Sequence, residues 1–163
     1  QLRAWAEQCP DWYLCGVALY QPGIGAMLTL LHRRQLSNVG LIDLPAQQVI
    51  AAMAADTLSE VRIFFPDPWP KKRHFKRRLV EQEFLERLYA VLKDDAVVRL
   101  ATDWAPYGEW MVEQFAMVPG FKLVEDQTRR GYAEDTDTIR GTTKFEARGE
   151  RLGHNIRDLV YVK

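Results

Sequence analysis

The sequence predicts an α/β domain built on a mostly parallel sheet. Three observations predict it. Short apolar runs alternate with segments of helical spacing along the whole chain, as in strands joined by crossover helices. The 163 residues, 47% hydrophobic and 27% charged, suit a single domain with a sizeable core. Two carboxylates, Asp67 and Asp103, each follow an apolar run directly, and open α/β sheets bind ligands outside the carboxyl ends of their strands.

WYLCGVALY (12–20) is short, apolar and aromatic, as a buried strand is. Helical spacing follows from about Gly25 to Gln35, with Met27, Leu28, Leu30 and Leu31 on the apolar side. VGLID (39–43) reads as a strand, AQQVIAAMAA (46–55) as a helix and EVRIFF (60–65) as a strand. Val80, Phe84, Leu85, Leu88 and Leu92 recur at helical spacing, and AVVRLAT (96–102) is the next strand. A helix from about Tyr107 to Phe115 and a strand FKLVE (121–125) come next. Residues 126–141 are polar and charged and read as a loop, TTKFEARGERL (142–152) starts a short helix, and IRDLVYVK (156–163) alternates as a closing strand.

Twenty-two basic side chains balance twenty-two acidic ones, so whole-molecule charge predicts no polyanion partner. Any nucleic-acid signal is local, and the strongest basic cluster is at 71–78. Cys9 and Cys15 lack metal-like spacing and read as two buried thiols in a reducing compartment. His32, His74 and His154 form no ligand-spaced cluster, so no metal is expected, and His154 reads as structural. No run is apolar for the roughly 18 residues of a membrane span. The first residues lack the basic start and long apolar block of a signal peptide. A cytoplasmic protein is expected.

The stretch FFPDPWPKKRHFKRR (64–78) carries the chemistry. Pro66 and Pro68 fix their own φ and restrict the residues before them, which predicts a stiff extended segment around Asp67. Trp69 offers a flat face on which a base can stack. Lys71, Lys72, Arg73, Lys76, Arg77 and Arg78, interleaved with His74 and Phe75, suit phosphate contacts. Alone, such a run reads more simply as a solvated face, and each rim carboxylate reads equally well as a cap. Their adjacency at one strand end favours a nucleic-acid substrate arriving at an active site.

This stretch resembles the signature of the bacterial tRNA (guanine-N7)-methyltransferases, which use S-adenosylmethionine and modify a guanine in the tRNA variable loop. ATDW (101–104), TKFEARGERLGH (143–154) and GVALYQPGIGAML (16–28) match further blocks of the family in order, so the resemblance covers essentially the whole chain. It implies a Rossmann-like class I methyltransferase sheet in a single methyltransferase-like domain over 1–163. It implies Asp67 as the catalytic carboxylate and Lys71 and Asp103 as substrate contacts. Thr143, Lys144, Phe145 and Glu146 would line the guanine pocket, and Arg73, His74, Phe75, Lys76, Arg77 and Arg78 would meet RNA. Guanine N7 carries a lone pair and needs no deprotonation, and the product ring is cationic. A carboxylate that grips the base edge and opposes that charge therefore suits the chemistry better than a strong base, with alignment supplying much of the rest.

The family pattern is broken on the cofactor side. The glycine-rich turn after the family's first strand is absent, and QLRAWAEQCP reads as the helix that follows it. Ala18 stands where the second strand should end in the acid that holds the cofactor ribose, and Pro45 replaces the acid near the adenine. Asp67 is left as the remaining cofactor contact, with Asp43 a neighbouring substitute. Two readings follow: a methyltransferase, or an inactive family member that binds tRNA or a protein partner. An α/β hydrolase is disfavoured because no G-x-S-x-G is present. Without the family's first strand, either 12–19 pairs directly with 60–65 or a homodimer covers the gap.

Overall fold

The structure, a computed structural model, describes residues 1–130 and 155–163. These fall into two compact units, Gln1–Val49 and residues 50–130 with 155–163.

In the first unit α1 (Leu2–Gln8) leads to β1 (Leu14–Val17), α2 (Gln21–Arg33) and β2 (Val39–Ile42). The two strands pair in parallel, Leu14 beside Val39 and Val17 beside Ile42, and α2 is the crossover that parallel pairing requires. Asn38 closes the loop after α1. Its Nδ2 donates to the carbonyls of Ala6, Cys9 and Trp12 at 3.1, 3.2 and 3.1 Å. Gly16 lets α1 approach β1, since a Cβ there would stand 2.6 Å from Leu2 Cδ2 and 2.8 Å from Leu41 Cδ2. The expected buried strand 12–20 is thus shorter and half open. α1 packs on the Gly16 face, and Cys15 and Val17 on the other face are exposed, as are Trp12, Tyr13, Leu19 and Tyr20. The two thiols are free, but Cys9 is half-buried and Cys15 exposed rather than both buried.

Helix α3 (Ala46–Ala52) follows Pro45. The second unit then runs β3 (Leu58–Phe64), a 3-10 turn (Lys72–Arg77), α4 (Gln82–Val91), β4 (Leu92–Thr102), α5 (Ala105–Ala116), β5 (Lys122–Arg130) and β6 (Asn155–Val162). The strand order is β3-β4-β6-β5. β3 and β4 are parallel, while β6 is antiparallel to both β4 and β5. Three strands therefore run one way and only β6 runs back, which keeps the sheet mostly parallel in an α/β fold.

Phe84, Leu85, Leu88 and Val91 give α4 the buried stripe that the spacing predicts. Tyr107, Met111 and Phe115 do the same for α5. With Val98, Leu100, Ile156 and Leu159 of the sheet they form the core of this unit. Fully burying each such side chain contributes about 1.5–3 kcal/mol before entropy is counted. Phe115 stacks on Tyr161 with ring centroids 3.8 Å apart, joining α5 to β6.

Two expectations change. Residues 126–130 are not loop, because β5 continues to Arg130 against β6. Arg157 Nε and a terminal nitrogen donate to Asp126 at 2.8 and 2.7 Å, which holds the Asp126 carboxyl below its ordinary pKa. An edge strand paired this way tolerates polar residues that a central strand would not. The pairing expected between 12–19 and 60–65 is replaced by ladders inside each unit: among the described residues β1 pairs with β2 and β3 with β4. The helix expected over 142–152 lies outside the described residues.

Candidate functional site

The carboxyl end of β3 is fastened to its neighbour by Phe65 N–H, which donates to Ala101 O at 2.8 Å. Beyond it the backbone does not stay extended as the prolines predict. Phe65 and Trp69, each immediately before a proline, take φ of 52° and 44°. Left-handed backbone at such residues costs on the order of 1–3 kcal/mol each and persists only where surrounding contacts impose it. Asp67 lies between these two bends and is exposed.

The contacts that impose this shape centre on Arg78. Its Nε donates to Pro68 O at 2.9 Å. Its guanidinium carbon lies 3.7, 5.0 and 4.8 Å from the ring centroids of Phe75, Tyr107 and Trp110. Only 3% of the residue is exposed, and burial pushes the guanidinium below its ordinary pKa. Of the six residues expected to meet RNA, Arg78 is therefore the one turned inward among rings rather than toward solvent. α5 completes the clamp, with Trp110 Nε1 donating to Val80 O at 2.7 Å and Val80 N–H donating to the Tyr107 hydroxyl at 3.3 Å. Burial raises the Tyr107 phenol pKa, and the neighbouring Arg78 cation works against it. The sequence reading missed Tyr107 and Trp110. Their signal is the aromatic repeat every third residue, Trp104, Tyr107 and Trp110, directly after the TDW block.

The rest of the basic run faces outward. Lys71, Lys72, Arg73, Lys76 and Arg77 are exposed, while His74 and Phe75 are half-buried. His74 meets the Trp69 ring edge-on at 5.7 Å, and the Arg77 guanidinium lies 4.9 Å from the Trp69 centroid. Phe75 packs against Trp110 at 5.5 Å.

Asp67 and Asp103 follow adjacent parallel strands, whose last rungs pair Phe64 with Ala101. Both therefore lie on one rim of one sheet. Neither occupies a helix-capping position. Lys71 precedes the 3-10 turn, Trp104 is the N-cap of α5, and no side chain caps either element. Thr143, Lys144, Phe145 and Glu146 lie outside the described residues.

In the first unit Ala18 follows β1, its N–H donating to Ile42 O at 3.1 Å, and Pro45 precedes α3. Neither side chain accepts a hydrogen bond. Asp43, after β2, is exposed and accepts from Gln21 Nε2. A groove of about 360 Å³ is lined by Phe75, Lys76, Glu81, Gln82, Trp110 and Gln114, and none of Asp67, Lys71 and Asp103 lines it.

A family model described as "Putative methyltransferase" matches residues 1–159. The tRNA (guanine-N(7)-)-methyltransferase of Paraburkholderia xenovorans strain LB400 is 44% identical over 159 residues, covering 97% of this chain and 59% of the relative. The enzyme of that name from Marinobacter nauticus is 41% identical, covering 97% of this chain and 66% of the relative. The chain thus spans between 54% and 66% of the length of the curated relatives it matches. Among solved structures, a mutant 16S rRNA (adenine(1408)-N(1))-methyltransferase from Catenulisporales acidiphilia superposes with a TM-score of 0.58 at 22% identity, covering 96% of this chain and 77% of that one. The cyclase SpnF superposes with a TM-score of 0.60 at 12% identity, covering 93% of this chain and 66% of that one. These likenesses show a Rossmann-like class I methyltransferase fold, which by itself hosts unlike chemistries. The rim motif and the family match narrow it: the chain belongs to the bacterial tRNA (guanine-N7)-methyltransferase family.

Proposed function

We propose that this chain serves tRNA guanine-N7 methylation, with both units acting as one methyltransferase-like domain in the cytoplasm. The observation that carries the reading is the second unit's rim. An exposed Asp67 precedes Pro68, whose carbonyl accepts from the buried Arg78, on the same sheet rim as Asp103, and five exposed cations follow. Lys71 and Asp103 contact the substrate, as do Thr143, Lys144, Phe145 and Glu146. Arg73, Lys76 and Arg77 meet the phosphates, with His74 and Phe75 at their sides. Asp67 orients the base and opposes the positive charge its ring acquires. S-adenosylmethionine supplies the methyl group when bound.

Filter binding of tRNA across a salt series tests the RNA half. Replacing Arg73, Lys76 and Arg77 together by Ala is expected to weaken binding to all RNAs alike. It should also flatten the salt slope by about one unit for each phosphate no longer neutralised. A triple variant that binds as tightly as the parent at every salt concentration would reduce the basic run to a solvated face. Sedimentation of the same samples checks whether the chain forms a homodimer through its strand edges.

The residues of the first unit do not fit S-adenosylmethionine as the family holds it. Ala18 and Pro45 offer no side-chain acceptors, and Gln21 engages the neighbouring carboxylate of Asp43. The second reading, a family member that binds tRNA without methylating it, rests on these residues alone. The comparisons favour the first. Calorimetry with S-adenosylmethionine and S-adenosylhomocysteine separates the two. Two missing hydrogen-bond acceptors at about 1–3 kcal/mol each weaken binding by roughly two to four powers of ten, so little heat is expected at micromolar ligand. Micromolar affinity would overturn this expectation and point to Asp43 as the compensating acceptor.

A further inference from the structure

We propose that Trp104, rather than Trp69, is the aromatic face on which the substrate base stacks. The assignment rests on the RNA reading of this rim. Stacking needs an open ring face, held still, next to the groups that hold the base edge. Trp69 meets only part of this. Its ring is half-buried, with His74 at 5.7 Å edge-on and the Arg77 guanidinium 4.9 Å from its centroid. A base would have to displace that cation to stack on the face it covers. Trp104 is 39% exposed, follows Asp103 directly and sits at the carboxyl end of β4. No ring or cation contact to it is found among the described residues.

Its backbone is held at both ends. Trp104 N–H donates to Thr102 Oγ1 at 3.2 Å, and its carbonyl accepts from Tyr107 and Gly108 N–H at 2.9 and 3.1 Å. Thr102 itself is buried, so the turn that presents the ring is anchored in the core. A flat apolar side chain left this exposed on a clamped turn, beside a rim carboxylate, is placed to take the face of a base while Asp103 takes its edge. The ligand class is an unpaired base of a looped or single-stranded RNA, because a base inside a duplex offers no free face.

The test is filter binding of tRNA by the full chain and by Trp104→Ala, Trp104→Leu and Trp104→Phe, each at several salt concentrations, with melting curves recorded alongside. Trp104→Ala is expected to weaken binding about tenfold, the size of one base–aromatic stack. The salt slope should not change, because every phosphate partner is still in place. Trp104→Phe should recover most of the affinity and Trp104→Leu little of it. Equal affinity of Trp104→Ala and a parent that binds tRNA would overturn the assignment alone. Recovery by Leu as complete as by Phe would also overturn it, since the ring would then act only as packing. A parent with no affinity for tRNA would overturn the RNA reading, and this assignment with it.

Discussion

Asp67→Ala is expected to abolish methyl transfer while leaving tRNA binding nearly unchanged. The side chain is exposed between two left-handed bends, so truncating it leaves no cavity and breaks no core packing. Removing a negative charge from a surface with five exposed cations leaves RNA affinity equal or slightly improved. In the proposed role of Asp67 the loss falls on the reacting base, whose growing positive charge is no longer opposed. Removing one such electrostatic group costs about a hundred- to a thousandfold in kcat. Asp67→Asn separates shape from charge: it keeps the volume and should be nearly as inactive. Transfer of a labelled methyl group to tRNA at millimolar S-adenosylmethionine, with filter binding in parallel, checks both. A variant that methylates at the parent's rate would remove Asp67 from the mechanism.

Arg78→Ala is expected to destabilise the second unit by about 3 kcal/mol, counting a charged hydrogen bond and a desolvated cation over aromatic rings. The bond is the one to Pro68 O, and the rings are those of Phe75, Tyr107 and Trp110. Urea unfolding followed by fluorescence should show a lower midpoint. Arg78→Lys should recover less than half of the loss, because an ammonium cannot lie flat among the rings and donate sideways at once. Without the clamp the Pro68 carbonyl loses its partner, so the segment that carries Asp67 is held less firmly. The opposite outcome is equally readable. A variant of unchanged stability whose salt slope falls by about one would make Arg78 a phosphate ligand after all.

Much of the fold was legible in the residues. The order of strands and helices follows from apolar spacing, and α4 and α5 lie within a few residues of where their stripes place them. Elements whose stability is tertiary were less legible. The polar residues 126–130 form strand because Arg157, about thirty positions later, pairs with Asp126. The aromatic run 12–20 shrinks to Leu14–Val17 because α1 packs on the Gly16 face alone.

The same division holds at the site. The sequence by itself determined the family, through the order of PDPW, TDW and TKFE blocks, and it determined that the two carboxylates follow successive strands. Only the tertiary structure decided which cation of the basic run turns inward and which tryptophan stays open. Six Lys and Arg residues within 71–78 look alike on paper. A 3-10 turn ends at Arg77, the backbone becomes extended at Arg78 with φ −63° and ψ 137°, and this aims one guanidinium at the rings of α5. Whether a cation meets water or aromatic faces depends on what packs beside it, and its partners here lie about thirty residues further along the chain.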